Sequence, residues 1–209
     1  MLNKQGFDLW AGDYDRTVQL SEESDSYPFA GYKHILNLIF NEVMQKKESN
    51  VLDIGFGTGI LTAKLYENGH KIVGIDFSSK MIEIAKQKMP KATLIECDFT
   101  KGIHNSIRNN NYDFIISTYA LHHLTDQEKV QFIQELLPLL YERGKILIGD
   151  IAFRTRGQLM ECREMYFSQW DDDEDYFVFD ELDELLNPTC KLEFQSISHC
   201  GGIIVISKK

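Results

Sequence analysis

Between residues 51 and 150 five short apolar runs recur: VLDIG (51–55), KIVGID (71–76), ATLIECD (92–98), YDFIISTY (112–119) and GKILIGD (144–150). Each is too short for a helix and almost continuously apolar, which suits a strand buried on both faces. Amphipathic stretches fill the gaps. Ile60 to Asn68 reads as a helix stopped by Gly69, and Ser79 to Lys88 as another, with Ser78 as its cap and Pro90 beyond its end. Thr125 followed by Glu128 fits a capping box ahead of a helix carrying Val130, Ile133, Leu137 and Leu140. A further stripe, Ile35, Leu38, Ile39 and Val43, runs ahead of the first strand between Gly31 and Lys46. Strand and helix in alternation predict an α/β fold, a doubly wound and mostly parallel sheet covered by helices on both faces.

The tail breaks that rhythm. A helix-like segment spans Gln158 to Phe167, followed by the acidic run Asp171 to Asp175 and by FVFDELDELLN. KLEFQSIS (191–198) and GIIVISKK (202–209) then read as two strands joined by the tight turn HCGG. Such a hairpin closes the sheet edge with at least one antiparallel strand. One domain over 1–209 is expected, with 1–45 as a helical lid or arm, 50–150 as the core and 151–209 as a variable segment plus hairpin.

Charge narrows the partners. The formal net charge is -10, so the general field repels phosphate backbones and argues against nucleic acid. Cys97, Cys162, Cys190 and Cys200 form no C-x-x-C pair, and they read as free thiols in a reducing compartment. The opening MLNKQGFDLW lacks the order of a secretory leader, and no apolar run approaches bilayer length. A cytoplasmic protein without a membrane partner is expected, as a monomer or homodimer.

The run VLDIG continues as GFGTGI, placing Gly55, Gly57 and Gly59 between a strand and a helix. Such a loop lets ligand atoms approach backbone N–H groups closely. Ile60 occupies the place where a dinucleotide fingerprint wants a small residue, and no lysine follows as in a triphosphate loop. Asp53, two residues before the first glycine, suits a cationic ligand better than a pyrophosphate. Asp76 ends the second run about twenty residues after Gly55, the usual offset for a carboxylate that holds ribose hydroxyls. Asp98 ends the third, so three aspartates stand on one rim of the sheet.

With these residues the chain resembles the class I S-adenosylmethionine-dependent methyltransferases, strongly over about 50–150 and more loosely over FDLWAGDYD at the N-terminus. The resemblance implies a seven-stranded, Rossmann-like sheet with its last strand antiparallel, and S-adenosylmethionine as cofactor. It places Gly55, Phe56, Gly57 and Gly59 at the methionine end and Asp53 near the amino group. Asp76 then serves the ribose, with Phe77 and Met81 beyond it, and Cys97, Asp98 and Phe99 lie along the adenine. Tyr14 packs over the cofactor from an N-terminal lid.

Methyl transfer from a sulfonium is an in-line displacement that needs alignment, with a base only where the acceptor loses a proton. The segment STYALHHL after the fourth strand supplies the catalytic candidates Tyr119, His122 and His123. Either histidine serves as a base or as a structural hydrogen-bonding group, and Tyr119 shapes the acceptor pocket or simply packs. The two histidines lack a third ligand nearby in sequence, so no metal is expected. Arg154 and Arg156 are candidates to hold an anionic acceptor, and the acidic run reads as a solvated face or, with Trp170, Tyr176 and Phe177 around it, as a lid. No Asn/Asp-Pro-Pro-Tyr/Phe sequence follows the fourth strand, which together with the charge favours a small-molecule acceptor. Two rivals stand beside this reading: a non-catalytic cofactor-binding protein, and a nicotinamide-dependent oxidoreductase. Ile60, Asp53 and the lack of a Tyr-x-x-x-Lys unit count against the second.

Overall fold

The computed structural model describes residues 26–209, and one mixed sheet organises them. The strands are β1 (Asn50–Ile54), β2 (Lys71–Asp76), β3 (Thr93–Glu96), β4 (Tyr112–Thr118), β5 (Leu140–Phe153), β6 (Phe177–Val178), β7 (Cys190–Ser196) and β8 (Gly201–Lys208). The main path runs β3-β2-β1-β4-β5-β8-β7, with the two-residue β6 paired to β5 off that path. β3, β2, β1, β4 and β5 are parallel, and β8 is antiparallel to both β5 and β7. The seven-stranded path with its C-terminal hairpin is the one expected; the short β6 is an addition.

The helices are α1 (Tyr32–Met44), α2 (Ile60–Glu67), α3 (Ser79–Lys88), α4 (Asn105–Arg108), α5 (Asp126–Leu136), α6 (Arg156–Met165) and α7 (Phe179–Leu186). Ser78 caps α3 by accepting from the Met81 N–H, and Thr125 with Glu128 forms the reciprocal capping box of α5. Such caps satisfy backbone donors that a helix start leaves open. One apolar cluster, including Ile35, Ile39, Val51, Leu65 and Ile116, lies between the sheet and the α1–α2–α3 side. A second, including Leu52, Ile115, Phe132, Ile133 and Leu186, fills the other face. Alternate residues of β1 thus feed opposite cores, as strand geometry requires.

The inward face of α1 carries Ile35, Leu36, Ile39 and Val43, with the half-buried Leu38 packed against the same cluster. One helix reading needs correction. α5 ends at Leu136; Leu137 belongs to a 3-10 turn with Pro138, and Leu140 begins β5. Proline has no N–H to continue an α-helix and clashes with the preceding turn, so the apolar period runs on after the helix has stopped.

Candidate functional site

The carboxyl ends of β1, β2 and β4 gather the glycine loop and its acids at one rim. Gly55, Gly57 and Gly59 all adopt left-handed backbone angles, with φ of 69°, 56° and 77°. Gly55 also admits no side chain: a Cβ there would lie 2.5 Å from the Ala120 Cβ beyond β4. The loop is laid back across β2, because the Gly55 N–H donates to the Ile75 carbonyl at 2.8 Å and the Gly57 N–H to Asp76 Oδ2 at 2.8 Å. The other Asp76 oxygen accepts from the Ser78 N–H at 2.9 Å. Asp76 therefore joins the loop to the start of α3.

Asp53 is 2% exposed, and one of its oxygens accepts from the Thr62 hydroxyl on α2. Its other oxygen, Oδ1, is buried and has no hydrogen-bond partner. Burial pushes the carboxyl up to about 7; the Thr62 bond works against that and the Asp76 charge adds to it. A lined hollow under the loop is bordered by Asp53, Gly55, Gly57, Thr62, Thr118 and Tyr32. A buried carboxylate oxygen without a donor fits a ligand ammonium.

The remaining donor-side candidates divide into walls and core. Cys97 extends β3 by donating its N–H to the Asp76 carbonyl. Asp98 accepts from the Thr100 N–H and hydroxyl and pairs with Lys101 at 2.7 Å. Its burial is outweighed by these donors, which hold the carboxyl below its ordinary range. Phe56 fills the space over Gly74, where a Cβ would meet its ring at 2.7 Å, and Phe99 packs against Phe132. Both side chains are core, so only their backbones border the rim. Met81 is buried in the first turn of α3, and Phe77 is half-buried beside Asp76 in the chain. Tyr14 lies outside the described residues.

At the end of β4 the three catalytic candidates separate. Tyr119 has φ 51° and is buried, its ring centroid 5.2 Å from both Phe29 and Tyr32, so it packs the sheet end against the start of α1. His122 and His123 sit on a 3-10 turn and meet edge to face with ring centroids 4.3 Å apart. His122 Nδ1 lies 2.6 Å from Asp150 Oδ1 on β5, and the same oxygen accepts from the Ile151 N–H. Glu174 stands against both rings, its Oε1 3.6 Å from His122 Nε2 and 3.8 Å from His123 Nδ1. Burial disfavours charge on His122, but the Asp150 carboxylate outweighs it and raises the imidazole above its ordinary value. His123 is pushed down to about 4 by burial and by the His122 charge beside it.

Glu174 belongs to the acidic run expected to be a solvated face, and it departs from that expectation. Its Oε2 accepts from the Tyr176 hydroxyl at 2.9 Å, and Tyr176 also bonds Tyr27. Burial raises its carboxyl, against the His122 charge and the Tyr176 bond. The Asp175 N–H donates to the His122 carbonyl, and the buried Lys129 of α5 donates to the Asp175 carbonyl. Sequence spacing gave no signal for Glu174, because roughly fifty residues separate it from the histidines and only the return of the chain along β5 unites them. Arg154 and Arg156 do not reach this cluster. Arg154 lies over Phe179 and Phe194, and Arg156 pairs with Glu181 at 2.5 Å.

A parallel sheet with a left-handed glycine turn beside a buried acid, and a second carboxylate ending the next strand, matches the arrangement of nucleoside-binding α/β folds. The comparisons narrow that class. A family profile for the methyltransferase domain matches residues 51–144. A methyltransferase of Anoxybacillus flavithermus is 41% identical over 150 residues, covering 72% of this chain and 68% of that one. One from a Geobacillus species (strain WCH70) is 38% identical over 187 residues, covering 86% and 84%. Among solved structures, a TehB-like SAM-dependent methyltransferase of Corynebacterium glutamicum superposes with TM-score 0.64 at 20% identity, over 95% of this chain and 98% of that one. The DhpI-SAH complex gives 0.72 at 14%, over 98% and 94%. The chain belongs to the class I S-adenosylmethionine-dependent methyltransferases. S-adenosylmethionine is accordingly its cofactor, and no described helix is long and apolar enough to cross a membrane.

Proposed function

We propose that this enzyme methylates a small molecule in the cytoplasm, with the donor held along β1, β2 and β3 and the acceptor activated at the His122–His123–Glu174 cluster. The observation that carries the donor half is Asp53 Oδ1, a buried oxygen with no hydrogen-bond partner beside the glycine loop. It takes the ammonium of the methionine moiety, and the left-handed glycine turn lets the ligand come close to the backbone. Asp76 accepts from the ribose hydroxyls, a carboxylate having room for donors besides the Gly57 and Ser78 N–H groups. Asp98 and the Cys97–Phe99 backbone border the adenine. S-adenosylmethionine supplies an electrophilic methyl on a sulfonium. The protein's part is to align acceptor and donor and to take the acceptor's proton where there is one.

Two observations support a small acceptor: the net charge of -10 and the short connections, with no inserted domain, among the described residues. The fold alone does not choose. Structures alike to this one include a magnesium protoporphyrin IX methyltransferase of Synechocystis and a ribosomal protein L11 methylase of Lactobacillus delbrueckii, at 18% and 16% identity. The test is calorimetric titration with S-adenosylhomocysteine, followed by turnover assays on pooled small molecules, RNA and protein. Saturable binding, weakened at least about tenfold by Asp76→Ala, is expected, since a lost charged hydrogen bond is worth about 1.5–3 kcal/mol. No binding at millimolar ligand would overturn the donor site. Binding without turnover on any pool would favour a non-catalytic cofactor-binding protein.

A further inference from the structure

We propose that His122, His123 and Glu174 bind a zinc-class divalent transition ion, and that this ion activates the methyl acceptor. The activating role rests on the methyltransferase reading above; the ion site itself does not. His122, His123 and Glu174 each offer one ligand atom, and the three atoms all lie within 4.8 Å of one another. Two of the three edges measure 3.6 and 3.8 Å. Those separations are too long for hydrogen bonds. They are close to the ligand–ligand edges of about 3.3–3.6 Å that zinc–ligand bonds of about 2.0–2.2 Å produce in a tetrahedron. About 1 Å of side-chain movement draws the set together.

Two of the three side chains are held by their other polar atom, which sets the direction in which they face. Asp150 holds His122 through Nδ1 at 2.6 Å and leaves Nε2 for a ligand. That is the carboxylate–histidine–metal arrangement, in which the carboxylate fixes the ring and raises its basicity. Tyr176 holds Glu174 through Oε2 and leaves Oε1. The His122 carbonyl bonds the Asp175 N–H, so the loop that brings Glu174 is tied to the turn that brings the histidines. Two imidazoles and one carboxylate select zinc, iron, cobalt or nickel over magnesium or calcium, which prefer oxygen. Three protein ligands leave coordination positions open, as catalytic sites require.

An acceptor hydroxyl or thiol bound at an open position loses its proton to solvent more readily, as metal-bound water does. Its lone pair then forms the new bond to the methyl carbon. The carbon–sulfur bond breaks with its electron pair retained by sulfur, so the sulfonium becomes a neutral thioether and no oxidant or reductant is needed. The cluster lies two residues beyond Ala120, the residue that packs on Gly55 of the donor loop. A metal here therefore stands on the rim that holds the donor.

The experiment uses the full chain stripped with a chelator and titrated with Zn2+ against a chromophoric competitor. Co2+ serves as a visible probe of coordination, and S-adenosylhomocysteine binding is measured in parallel. One equivalent of Zn2+ should bind, and Co2+ should give the visible bands of a low-coordinate nitrogen–oxygen site. Glu174→Gln and His123→Ala should each weaken Zn2+ at least about 100-fold, and Asp150→Asn by about 10–100-fold. His34→Ala, on the exposed face of α1, should change nothing. Glu174→Gln keeps size and shape, so circular dichroism and a thermal melt will confirm its folding. If folded wild type and Glu174→Gln take up Zn2+ alike, the ion site is overturned. Loss of zinc binding with intact S-adenosylhomocysteine binding in the wild type would leave the methyltransferase reading standing. The reverse result would leave the ion site and remove the donor site.

Discussion

At the scale of single residues the informative group is Asp53, whose meaning depends on what surrounds it. A carboxyl with its pKa raised to about 7 by burial stabilises the fold in its neutral form. That contribution is complete below the unfolded value near 4 and is lost as pH rises through about 7. Binding of a ligand ammonium demands the opposite, ionised form. Affinity for S-adenosylhomocysteine is therefore expected to rise about tenfold between pH 6 and 8, with proton release. Asp53→Asn should flatten that profile and weaken binding at pH 8 by about 10–100-fold, measured by titration calorimetry in buffers of different ionisation enthalpy. A flat wild-type profile would remove Asp53 from the ammonium site. That Asp53, Gly55 and Asp76 share one rim was readable in the sequence because strand, loop and acid follow one another closely. The packing of Phe56 and Phe99 into the core was not, since a motif says which residues lie near a ligand but not which way their side chains turn.

At the scale of elements the chain was legible wherever a local signal ended a segment. Ser78 and Pro90 bracket α3, and Thr125 with Glu128 starts α5, because caps and proline act within a turn. β6 carried no such signal: two residues have no period, and Phe177–Val178 becomes a strand only by pairing with Ala152–Phe153. The contact of α1 with the sheet is likewise tertiary, and Gly149 on β5 makes it close. A Cβ at Gly149 would stand 2.3 Å from Ile35 Cγ2 and 2.9 Å from Ile39 Cδ1, so Gly149→Ala must push α1 outward. Overpacking of this kind costs about 1–3 kcal/mol. Urea unfolding should show a lowered midpoint with an unchanged slope. Wild-type stability in Gly149→Ala would mean that α1 is not seated on β5 as described.

At the scale of the whole molecule, the proposed donor and acceptor sides are built differently. The proposed donor side comes from three consecutive strand–loop units, whose order along the chain placed its residues together. The acceptor side joins the end of β4, Asp150 on β5 and a loop from 171–176. One tie on that loop is Lys129, only 1% exposed, which donates to the Asp175 carbonyl at 2.5 Å and to Asp126 at 2.9 Å. Its ammonium also lies 4.7 Å over the Phe177 ring. Methionine at this position fills similar volume but offers neither donor. Asp126 is half exposed and can be hydrated, so the substitution leaves no buried charge without a partner. The expected consequence is therefore local. In Lys129→Met, amide exchange over 171–176 should speed up while exchange in β1, β2 and β4 stays as in wild type. S-adenosylhomocysteine affinity should be unchanged, because no donor residue touches Lys129, whereas zinc affinity should fall as Glu174 loses its place. Slower or equal exchange in the loop would show that Lys129 does not hold it. A parallel loss of cofactor affinity would mean that the two sides are coupled through more than this one contact.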